Sequence, residues 1–331
     1  MSTQRPAPAV PTSVFITGAG GFIGRTLAAR LRELGATVTG VDLVADPENG
    51  IVQGTTTDPS TWAHALEGVE AVVHTAAIVS TVAPTAAAWE VNVLGTKKVL
   101  DASVAAGVGR FVHLSSIAAY GWGFPKFVTE DYPARVTGGV STYVDTKTNS
   151  EQVVLANAHR GTEVTIVRPA DVYGPGSVWV REPLAMVEAN QMLLPEGGRG
   201  VFDAIYIDNF VDAMVLLLAA DAAAVDGQIF NFGEELELTC AEYFGELASW
   251  KGGKVKTLPI KVAAPALTVV GAVQRRLGMK SELGPALMHM LNRDALVSNE
   301  KARKVLGWEP AVSYDDGIAR SKQWALNEGL I

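Results

Sequence analysis

The fold is decided by the stretch "SVFITGAGGFIGRTLAARLRELG", residues 13–35, in which one hydrophobic pattern gives way to another. The opening "SVFITG" is apolar and β-branched, which is typical of a buried parallel strand. From Phe22 onward apolar residues recur at helical spacing, and the run ends on Gly35, which suits the end of a helix. The junction between the two patterns is rich in glycine, at Gly18, Gly20, Gly21 and Gly24.

The glycine spacing has a physical reason at each position. Gly18 permits the sharp turn from strand to helix, Gly21 lets the backbone approach a diphosphate, and Gly24 lets the helix pack close to the sheet. The first helical turn, which contains Phe22 and Ile23, has N–H groups without partners in the helix, and these suit an anion. We therefore expect these five residues to bind a dinucleotide.

The first half of the chain continues the alternation of strand and helix. Further strand-like segments are "ATVTGVD" (36–42), "EAVVHTAA" (70–77) and "RFVHLSS" (110–116), with helical patterns between them. Such alternation predicts an α/β fold with a doubly wound parallel Rossmann sheet and a smaller, mainly C-terminal substrate domain. The predicted division is a disordered tail (1–12), a dinucleotide-binding domain (13–175, with 203–233 returning to it) and a substrate-binding domain (176–202 and 234–331).

Asp42 ends the second strand-like segment. A carboxylate at this place accepts hydrogen bonds from the adenosine ribose of a dinucleotide. It also repels the 2′-phosphate of NADP, since two like charges about 4 Å apart cost roughly 1 to 4 kcal/mol. No arginine follows directly in "DLVAD", so we expect NAD as the cofactor. The alternative is an ordinary loop aspartate.

Tyr143 and Lys147 stand four positions apart in "YVDTK", and on a helix they share a face. Tyrosine is a poor base because its unperturbed pKa is near 10, but a nearby ammonium and the positive ring of NAD+ lower that pKa. Tyr143 then takes a proton from an alcohol while hydride leaves the carbon, or returns it to a carbonyl. Taken alone, the spacing is common and favours a solvated helix face.

Two serines strengthen the chemical interpretation. In "VHLSSIAAYG", Ser115 and Ser116 come at the end of a strand, where a hydroxyl suits the substrate oxygen beside the tyrosine. A glycine-rich turn, a strand-end serine and a Tyr/Lys pair coincide by accident far less often than any one of them.

Taken together, these segments resemble the extended short-chain dehydrogenase/reductase superfamily, nearest to its 3β-hydroxysteroid dehydrogenase branch, over nearly all of residues 13–330. The resemblance is carried in order by "TGAGGFIG", "VVHTAA", "NVLGTKKVLDA", "FVHLSSIAAYG", "YVDTK", "RPADVYGPG", "YIDNFVDA" and "ARKVLGWEP". It implies Ser116, Tyr143 and Lys147 as the catalytic set, with Lys147 also on the nicotinamide ribose. Ser116 is preferred to Ser115 because it lies four residues before Tyr120 in the S-x-x-x-Y-G pattern.

The resemblance implies further site residues. Asn92 in "VNVLGT" matches a position that supports the active site by fixing a helix backbone. One departure concerns the adenine: where the family has "GD" at the end of the third strand, this chain has "QGTTTD", with Thr55 in place of the aspartate. The resemblance then leaves the adenine contact to a hydroxyl at this place or to the backbone that follows, at Thr56. The residues implied to line the cofactor are Thr75, Ala76, Ala77, Pro169 and Val172.

The second half of the chain bears on the substrate. Nucleotide-sugar enzymes of the superfamily commonly carry "RDF" or "RDY", whose arginine pairs with a diphosphate, but "RGVFDAIYIDN" has Phe202 there and Arg199 three residues away. The family's later "RPGD" appears only as "LNRD", with Arg293. Because a buried diphosphate requires positive partners, the sequence predicts a secondary alcohol or ketone on a bulky apolar, hydroxysteroid-like substrate. A nucleotide-sugar 4-epimerase or dehydratase is the alternative, and a non-catalytic dinucleotide sensor is disfavoured by the Tyr/Lys pair.

The apolar run "LPIKVAAPALTVVGAV", residues 258–273, is broken by Lys261 and two prolines and is too short to span a bilayer. We interpret it as a buried or lid helix rather than a membrane contact, and we predict no integral membrane segment. Roofing an apolar pocket and ordinary core packing remain alternatives for it.

The amino-acid composition limits the classes of molecule that this protein is expected to bind. Apolar residues make up 48% and charged ones 19%, as in a folded globular protein. A net charge of −8, from 27 Lys and Arg against 35 Asp and Glu, argues against a general nucleic-acid binder. The single Cys240 excludes an intrachain disulfide, and no histidine pair has metal-ligand spacing, so we expect a cytoplasmic protein without a metal.

A homodimer is expected by analogy. Dehydrogenases on this fold often pair through two long helices, and the candidates are residues 84–107, with Ala-rich faces that allow close packing, and the helix that bears Tyr143.

Overall fold

The computed structural model describes residues 8–278 and 281–331. Residues 1–7 of the predicted tail lie outside the described residues. Thr12, at the end of the predicted tail, donates its backbone N–H to Glu70 Oε2 at 2.6 Å and its hydroxyl to Glu70 Oε1 at 2.8 Å.

The described strands are, in chain order, β1 (Ser13–Thr17), β2 (Thr37–Asp42), β3 (Ile51–Gln53), β4 (Ala71–His74), β5 (Arg110–Leu114), β6 (Glu163–Pro169), β7 (Asp171–Tyr173), β8 (Leu193–Pro195), β9 (Ala204–Tyr206), β10 (Gln228–Phe232) and β11 (Lys256–Leu258). Within the described ranges, seven of them form one parallel sheet in the order β10-β6-β5-β4-β1-β2-β3. The predicted α/β fold with a parallel Rossmann sheet is confirmed. The strand order reverses beside β1, and ligands bind at such a switch point, outside the carboxyl ends of the strands.

The described helices are α1 (Phe22–Glu33), α2 (Thr85–Trp89), α3 (Thr96–Ala105), α4 (Thr142–Leu155), α5 (Val178–Glu188), α6 (Ile207–Ala219), α7 (Ala222–Val225), α8 (Cys240–Trp250), α9 (Ile260–Arg276), α10 (Pro285–Leu291), α11 (Glu300–Leu306) and α12 (Tyr314–Asn327). A π-helical stretch, Glu90–Gly95, joins α2 to α3. Such stretches occur often at functional sites.

The sheet is covered on both faces. Alternate residues of a strand point to opposite faces, and β1 shows this directly. Val14 and Ile16 belong to one buried cluster together with Leu27 of α1, whereas Phe15 belongs to a second cluster with Val99 of α3. The near-continuous apolar strands of the sequence therefore reflect burial on two sides.

The second half of the chain adds two small parallel ladders, β7 with β9 and β8 with β11, and the helices from α8 onward. The strand β10 returns to the central sheet, within the segment 203–233 that the sequence assigns to the first domain. The division into two domains stays a prediction.

The apolar run 258–273 forms most of α9. Ala263 and Gly271 on its inner side are buried, but Val262, Val269 and Val273 are 54%, 64% and 53% exposed. The interpretation of this run as a buried helix is therefore wrong for its outer face. Among the described residues, no helix has the length and apolar character that crossing a membrane requires.

Candidate active site

The glycine-rich turn leaves no room for side chains. Gly18 has a φ of +70°, and a Cβ there would lie 2.9 Å from Thr75 Oγ1 and from the backbone nitrogen of Ala76. A Cβ on Gly24 would lie 2.3 Å from the carbonyl oxygen of Gly18. The helix α1 begins directly after Gly21 without a side-chain cap and without an acidic residue in its first turn. Its N–H groups, Phe22 and Ile23 included, are thus suited to the diphosphate of NAD.

Asp42 is held by the turn that it faces. Its Oδ2 accepts the backbone N–H of Gly20 at 2.9 Å, and its Oδ1 accepts that of Leu43 at 2.7 Å. Each carboxylate oxygen has a second lone pair, which is available to a ribose hydroxyl. Asp42 therefore joins the end of β2 directly to the glycine turn, and its contact with a ribose stays a prediction.

The residues expected around the rest of the cofactor fall into two groups. Thr75 donates its hydroxyl to the carbonyl of Thr17 at 2.7 Å, which fixes the segment that continues through Ala76 and Ala77 beside Gly18. Thr55 and Thr56 are less accessible to a ligand. The hydroxyl of Thr55 is hydrogen-bonded to that of Thr57 at 3.0 Å, and Thr56 is 6% exposed. Cofactor contacts of these residues, and of Pro169 at the end of β6 and Val172 in β7, stay predictions.

Tyr143 and Lys147 lie on one face of α4, as their spacing predicted. The Lys147 Nζ is 6.0 Å from the centroid of the Tyr143 ring and donates to the carbonyl oxygen of Leu114 at 2.6 Å. The helix begins just before Tyr143 because Ser141 caps it, accepting the N–H of Val144 at 3.4 Å. The bond from Lys147 holds the second turn of α4 against the end of β5.

The two serines after β5 have different partners. The Ser116 hydroxyl lies near enough to Tyr143 to lower its pKa, and it accepts the N–H of Ala118 at 3.1 Å. Ser115 instead donates to the buried carboxylate of Glu151 at 2.6 Å. The structure therefore brings Ser116, Tyr143 and Lys147 together and turns Ser115 into the core.

Burial sets the pKa values of the pair. Desolvation raises the pKa of Tyr143 to about 12; the Ser116 hydroxyl opposes this shift and the charge of Asp171 reinforces it. Desolvation also lowers the pKa of Lys147 to about 8, although Glu151 opposes the shift. The direction for Tyr143 is opposite to the sequence-based expectation, because burial is the largest cause of the shift and the Lys147 ammonium is not among its causes.

Asn92 joins three parts of the site. From the π-helical stretch its Nδ2 donates to the carbonyl of Ile78 at 3.0 Å and to Thr146 Oγ1 at 3.1 Å, while its Oδ1 accepts the N–H of Ile78 at 2.7 Å. Asn92 thereby ties the loop after β4 to α4 next to Lys147. This geometry suits the supporting role that the resemblance implied, which stays a prediction.

A chain of buried hydrogen bonds, whose partners the sequence did not identify, runs beneath the site. His74 links Thr17 (2.7 Å) and Thr96 (2.9 Å), and Thr96 donates to the carbonyl of Asn92 at 2.7 Å. Burial lowers the pKa of His74 to about 3, with Lys147 acting in the same direction, so this histidine is a neutral connector. The histidine within an apolar strand was a sequence signal for this chain of bonds.

A buried ion pair lies below the two serines. Arg168 donates to both carboxylate oxygens of Glu151, at 2.8 and 2.6 Å, and its guanidinium lies 4.4 Å from the centroid of the Tyr120 ring. Glu151 follows Lys147 by four residues, so its position on the same helix face was available from spacing.

A second buried ion pair lies on the side of β7. Asp171 forms an ion pair with Arg293, and both side chains are almost fully buried. The charge of Asp171 also contributes to the raised pKa of Tyr143. Close by, burial raises the pKa of Asp203 to about 8, so this carboxyl is largely protonated at neutral pH. Arg293, the sequence's candidate for a phosphate contact, is thus already bound to a carboxylate.

Phe202 lies inside an aromatic cluster. Its ring stacks on Tyr243, with centroids 3.8 Å apart, and meets Trp179 edge-on at 5.3 Å. Phe202 is 2% exposed. Arg199, three residues earlier, is an exposed residue that donates to the backbone of Glu196.

A glycine-rich turn after the first strand and an aspartate at the end of the second, both at the carboxyl edge of a parallel sheet, define the class of NAD-binding Rossmann enzymes. The chain belongs to the NAD dependent epimerase/dehydratase family, whose pattern matches residues 14–233. It is therefore an NAD-dependent oxidoreductase of the extended short-chain dehydrogenase/reductase type.

Relatives with named activities match over nearly the whole chain. The 2-alkyl-3-oxoalkanoate reductase of Stenotrophomonas maltophilia is 29% identical and the alignment covers 93% of this chain and 98% of that protein. The 3 beta-hydroxysteroid dehydrogenase/Delta 5→4-isomerase of Mycobacterium tuberculosis is 27% identical, with 92% and 88% covered. Among solved structures, DesIV, a dTDP-glucose 4,6-dehydratase from Streptomyces venezuelae with NAD and TYD bound, superposes with a TM-score of 0.77, 26% identity, and coverage of 96% and 100%.

Proposed function

We propose that this enzyme interconverts a secondary alcohol and a ketone on a bulky apolar substrate, with Ser116, Tyr143 and Lys147 as its catalytic residues. The observation that carries the proposal is Phe202. Where the resemblance to nucleotide-sugar enzymes calls for an arginine on the diphosphate, this chain has a buried phenyl ring stacked on Tyr243. An aromatic cluster supplies no charge to offset a diphosphate, which needs positive partners when it is buried.

The second cation expected of a diphosphate site is also engaged. Arg293 is neutralised by Asp171, and Asp171 is buried beside it. Binding a diphosphate to Arg293 would bring that dianion next to the carboxylate of Asp171 in a site of low dielectric, where like charges repel strongly. A neutral substrate meets no such penalty.

The named relatives support the same class of reaction. A 2-alkyl-3-oxoalkanoate reductase and a 3 beta-hydroxysteroid dehydrogenase/Delta 5→4-isomerase are both named for redox chemistry at an oxygenated carbon of a largely apolar molecule. We infer for this enzyme the same class of redox reaction and an apolar substrate.

The residues divide the chemistry as follows. Bound NADH or NAD+ supplies or accepts the hydride at the reacting carbon. In the reductive direction the Tyr143 hydroxyl donates its proton to the carbonyl oxygen, so that the ketone gains one hydride and one proton. Ser116 donates a hydrogen bond to the same oxygen, and Lys147 offsets the charge that develops on the phenolate. A phenol whose pKa is raised to about 12 holds its proton at neutral pH, which suits this donor role.

One experiment separates this function from the nucleotide-sugar alternative, which the likeness to DesIV favours. A dehydrogenase turns over an apolar secondary alcohol with NAD+ and forms NADH in proportion to product. An epimerase or dehydratase returns the hydride to the same molecule and accumulates no NADH. The assay compares 3β-hydroxysteroids, long-chain 3-hydroxy esters and UDP-glucose, following cofactor absorbance and product by mass spectrometry. Conversion of UDP-glucose without NADH, together with inert alcohols, would refute the proposal.

A further inference from the structure

The outer face of α9 is apolar and uncovered. Its most exposed large residues are aliphatic: Val262 (54%), Val269 (64%), Val270 (44%), Val273 (53%) and, just after the helix, Leu277 (72%). At about 100° per residue these positions, with exposed Pro265, Ala266 and Ala272, fall within an arc of about 160°. The only charged residue in that arc is Arg276, at the end of the helix. Exposed apolar surface that is contiguous in this way marks an interaction site.

The charge around this helix is opposite to that of the protein. Residues 247–278 contain Lys251, Lys254, Lys256, Lys261, Arg275 and Arg276 and no Asp or Glu, in a chain whose net charge is −8. Lys254, Lys261 and Arg276 are exposed, and none of the ion pairs among the described residues involves them. This basic segment therefore attracts an anionic surface, while the remainder of the chain carries a net charge of −14, since −8 minus +6 is −14.

We propose that the outer face of α9 docks on the surface of an anionic phospholipid membrane. A helix that is apolar on one side and basic at its ends lies in the interface plane, with its aliphatic side chains below the headgroups and its cations beside the lipid phosphates. The helix is about 25 Å long, at 1.5 Å per residue, and its inner face packs on the protein, so it lies on the bilayer and does not cross it.

Charge complementarity selects this occupant over a second copy of the chain. A two-fold dimer through α9 would bring the basic segment of one copy against the same segment of the other, because such interfaces are self-complementary. Like charges would then face each other around an aliphatic patch. Anionic lipid satisfies both the aliphatic and the basic parts of the surface.

The segment that follows α9 contacts the loop after β4. After α9 the chain passes through Glu282, whose carboxylate accepts the N–H of Thr81 at 2.9 Å and its hydroxyl at 3.1 Å. Thr81 belongs to the loop after β4 that Asn92 holds at Ile78. A membrane-dissolved substrate would therefore meet the enzyme near the loop after β4, although the docking itself does not depend on the proposed function.

The test is binding of the full-length protein to vesicles of phosphatidylcholine and phosphatidylglycerol in a 3:1 ratio, measured by flotation. We expect the protein to bind these vesicles at low salt and to bind them more weakly as the salt concentration is raised. Binding to vesicles of phosphatidylcholine alone should also be weaker. The double variant Val269→Glu/Val273→Glu should bind at least about tenfold more weakly. The matched control, Val305→Glu/Leu326→Glu, changes two aliphatic residues that are exposed on other helices (40% and 50%) and should bind like the wild type.

Three outcomes overturn the proposal. The first is that the wild type does not bind vesicles, and the second is that the Val269/Val273 variant binds them equally well. The third is that, without lipid, light scattering gives the variant a different oligomeric mass from the wild type. The last would mean that a second copy covers the face. Affinity for NAD, measured in parallel by calorimetry, shows that each variant is folded. Because vesicle binding requires no turnover, its failure and the failure of the substrate assignment are distinguishable.

Discussion

Lys147 donates a hydrogen bond of 2.6 Å to the carbonyl oxygen of Leu114, the last residue of β5. This bond joins the first turns of α4 to the strand that leads directly into Ser116. The ammonium is thereby fixed on the same side as the Tyr143 ring, 6.0 Å from its centroid. The buried side chain of Lys147 thus brings Tyr143 and Lys147 close to Ser116, which is distant from them in the sequence.

Replacing Tyr143 by phenylalanine removes the proposed proton donor and little else. On the proposed mechanism kcat/KM should fall by about two orders of magnitude or more, which is the usual contribution of general acid–base catalysis. The affinity for NAD, measured by calorimetry, should barely change.

Tyr132→Phe is the matched control for that variant. Tyr132 is half-buried and packs edge-on against Tyr120, so removing its hydroxyl should leave kcat/KM unchanged. Full activity in Tyr143→Phe would defeat the assignment of the catalytic set.

The neighbouring serines should separate catalysis from stability. Ser116→Ala removes the hydroxyl proposed to hold the substrate oxygen beside Tyr143 and should lower kcat by about tenfold or more with little change in unfolding free energy. Ser115→Ala leaves buried Glu151 without one partner and should cost about 1.5 to 3 kcal/mol of stability. Steady-state kinetics and chemical denaturation of both variants give the result; the reverse pattern would contradict the geometry.

Asp42→Asn tests the preference for NAD. The amide keeps an acceptor for the N–H of Gly20 but removes the negative charge that repels a 2′-phosphate. The ratio of kcat/KM for NAD to that for NADP should therefore fall by roughly fivefold to a thousandfold. Asp46→Asn, which removes the same charge from the following loop, should leave the ratio near its original value. An unchanged ratio in Asp42→Asn would show that another group excludes NADP.

The buried ammonium of Lys147 predicts a pH dependence of stability. Burial lowers its pKa from 10.5 to about 8, so between these values the unfolded chain binds the proton and the folded chain does not. Stability therefore rises with pH across this window. Relative to Lys147→Met, the wild type should gain up to about 3 kcal/mol as the pH rises from about 8 to about 10.5.

The measurement is denaturant unfolding of both proteins at several pH values. Groups that the two proteins share cancel in the difference, and Lys97→Met, on the surface of α3, controls for the loss of one positive charge. A constant difference between wild type and Lys147→Met across the window would show that the ammonium is not desolvated in the folded protein.

Local patterns carried much of the fold and of the site. The change from apolar β-branched residues to helical spacing around Gly18 and Gly24 predicted β1, the turn and α1, because each depends on neighbours a few residues apart. The i and i+4 spacing of Tyr143 and Lys147 predicted their shared face for the same reason. The sheet order and the pairing of Asp171 with Arg293 were not available, since those contacts join distant segments.

By itself, the sequence determined the class of fold, the family and the cofactor, because strand and helix periodicity, glycine spacing and the charge of Asp42 are local properties. Only the tertiary structure decided that Ser115 bonds Glu151 in the core, that burial raises the pKa of Tyr143, and that the outer face of α9 is uncovered. These outcomes depend on which surfaces lose water when distant segments pack together, and desolvation is a property of the assembled fold.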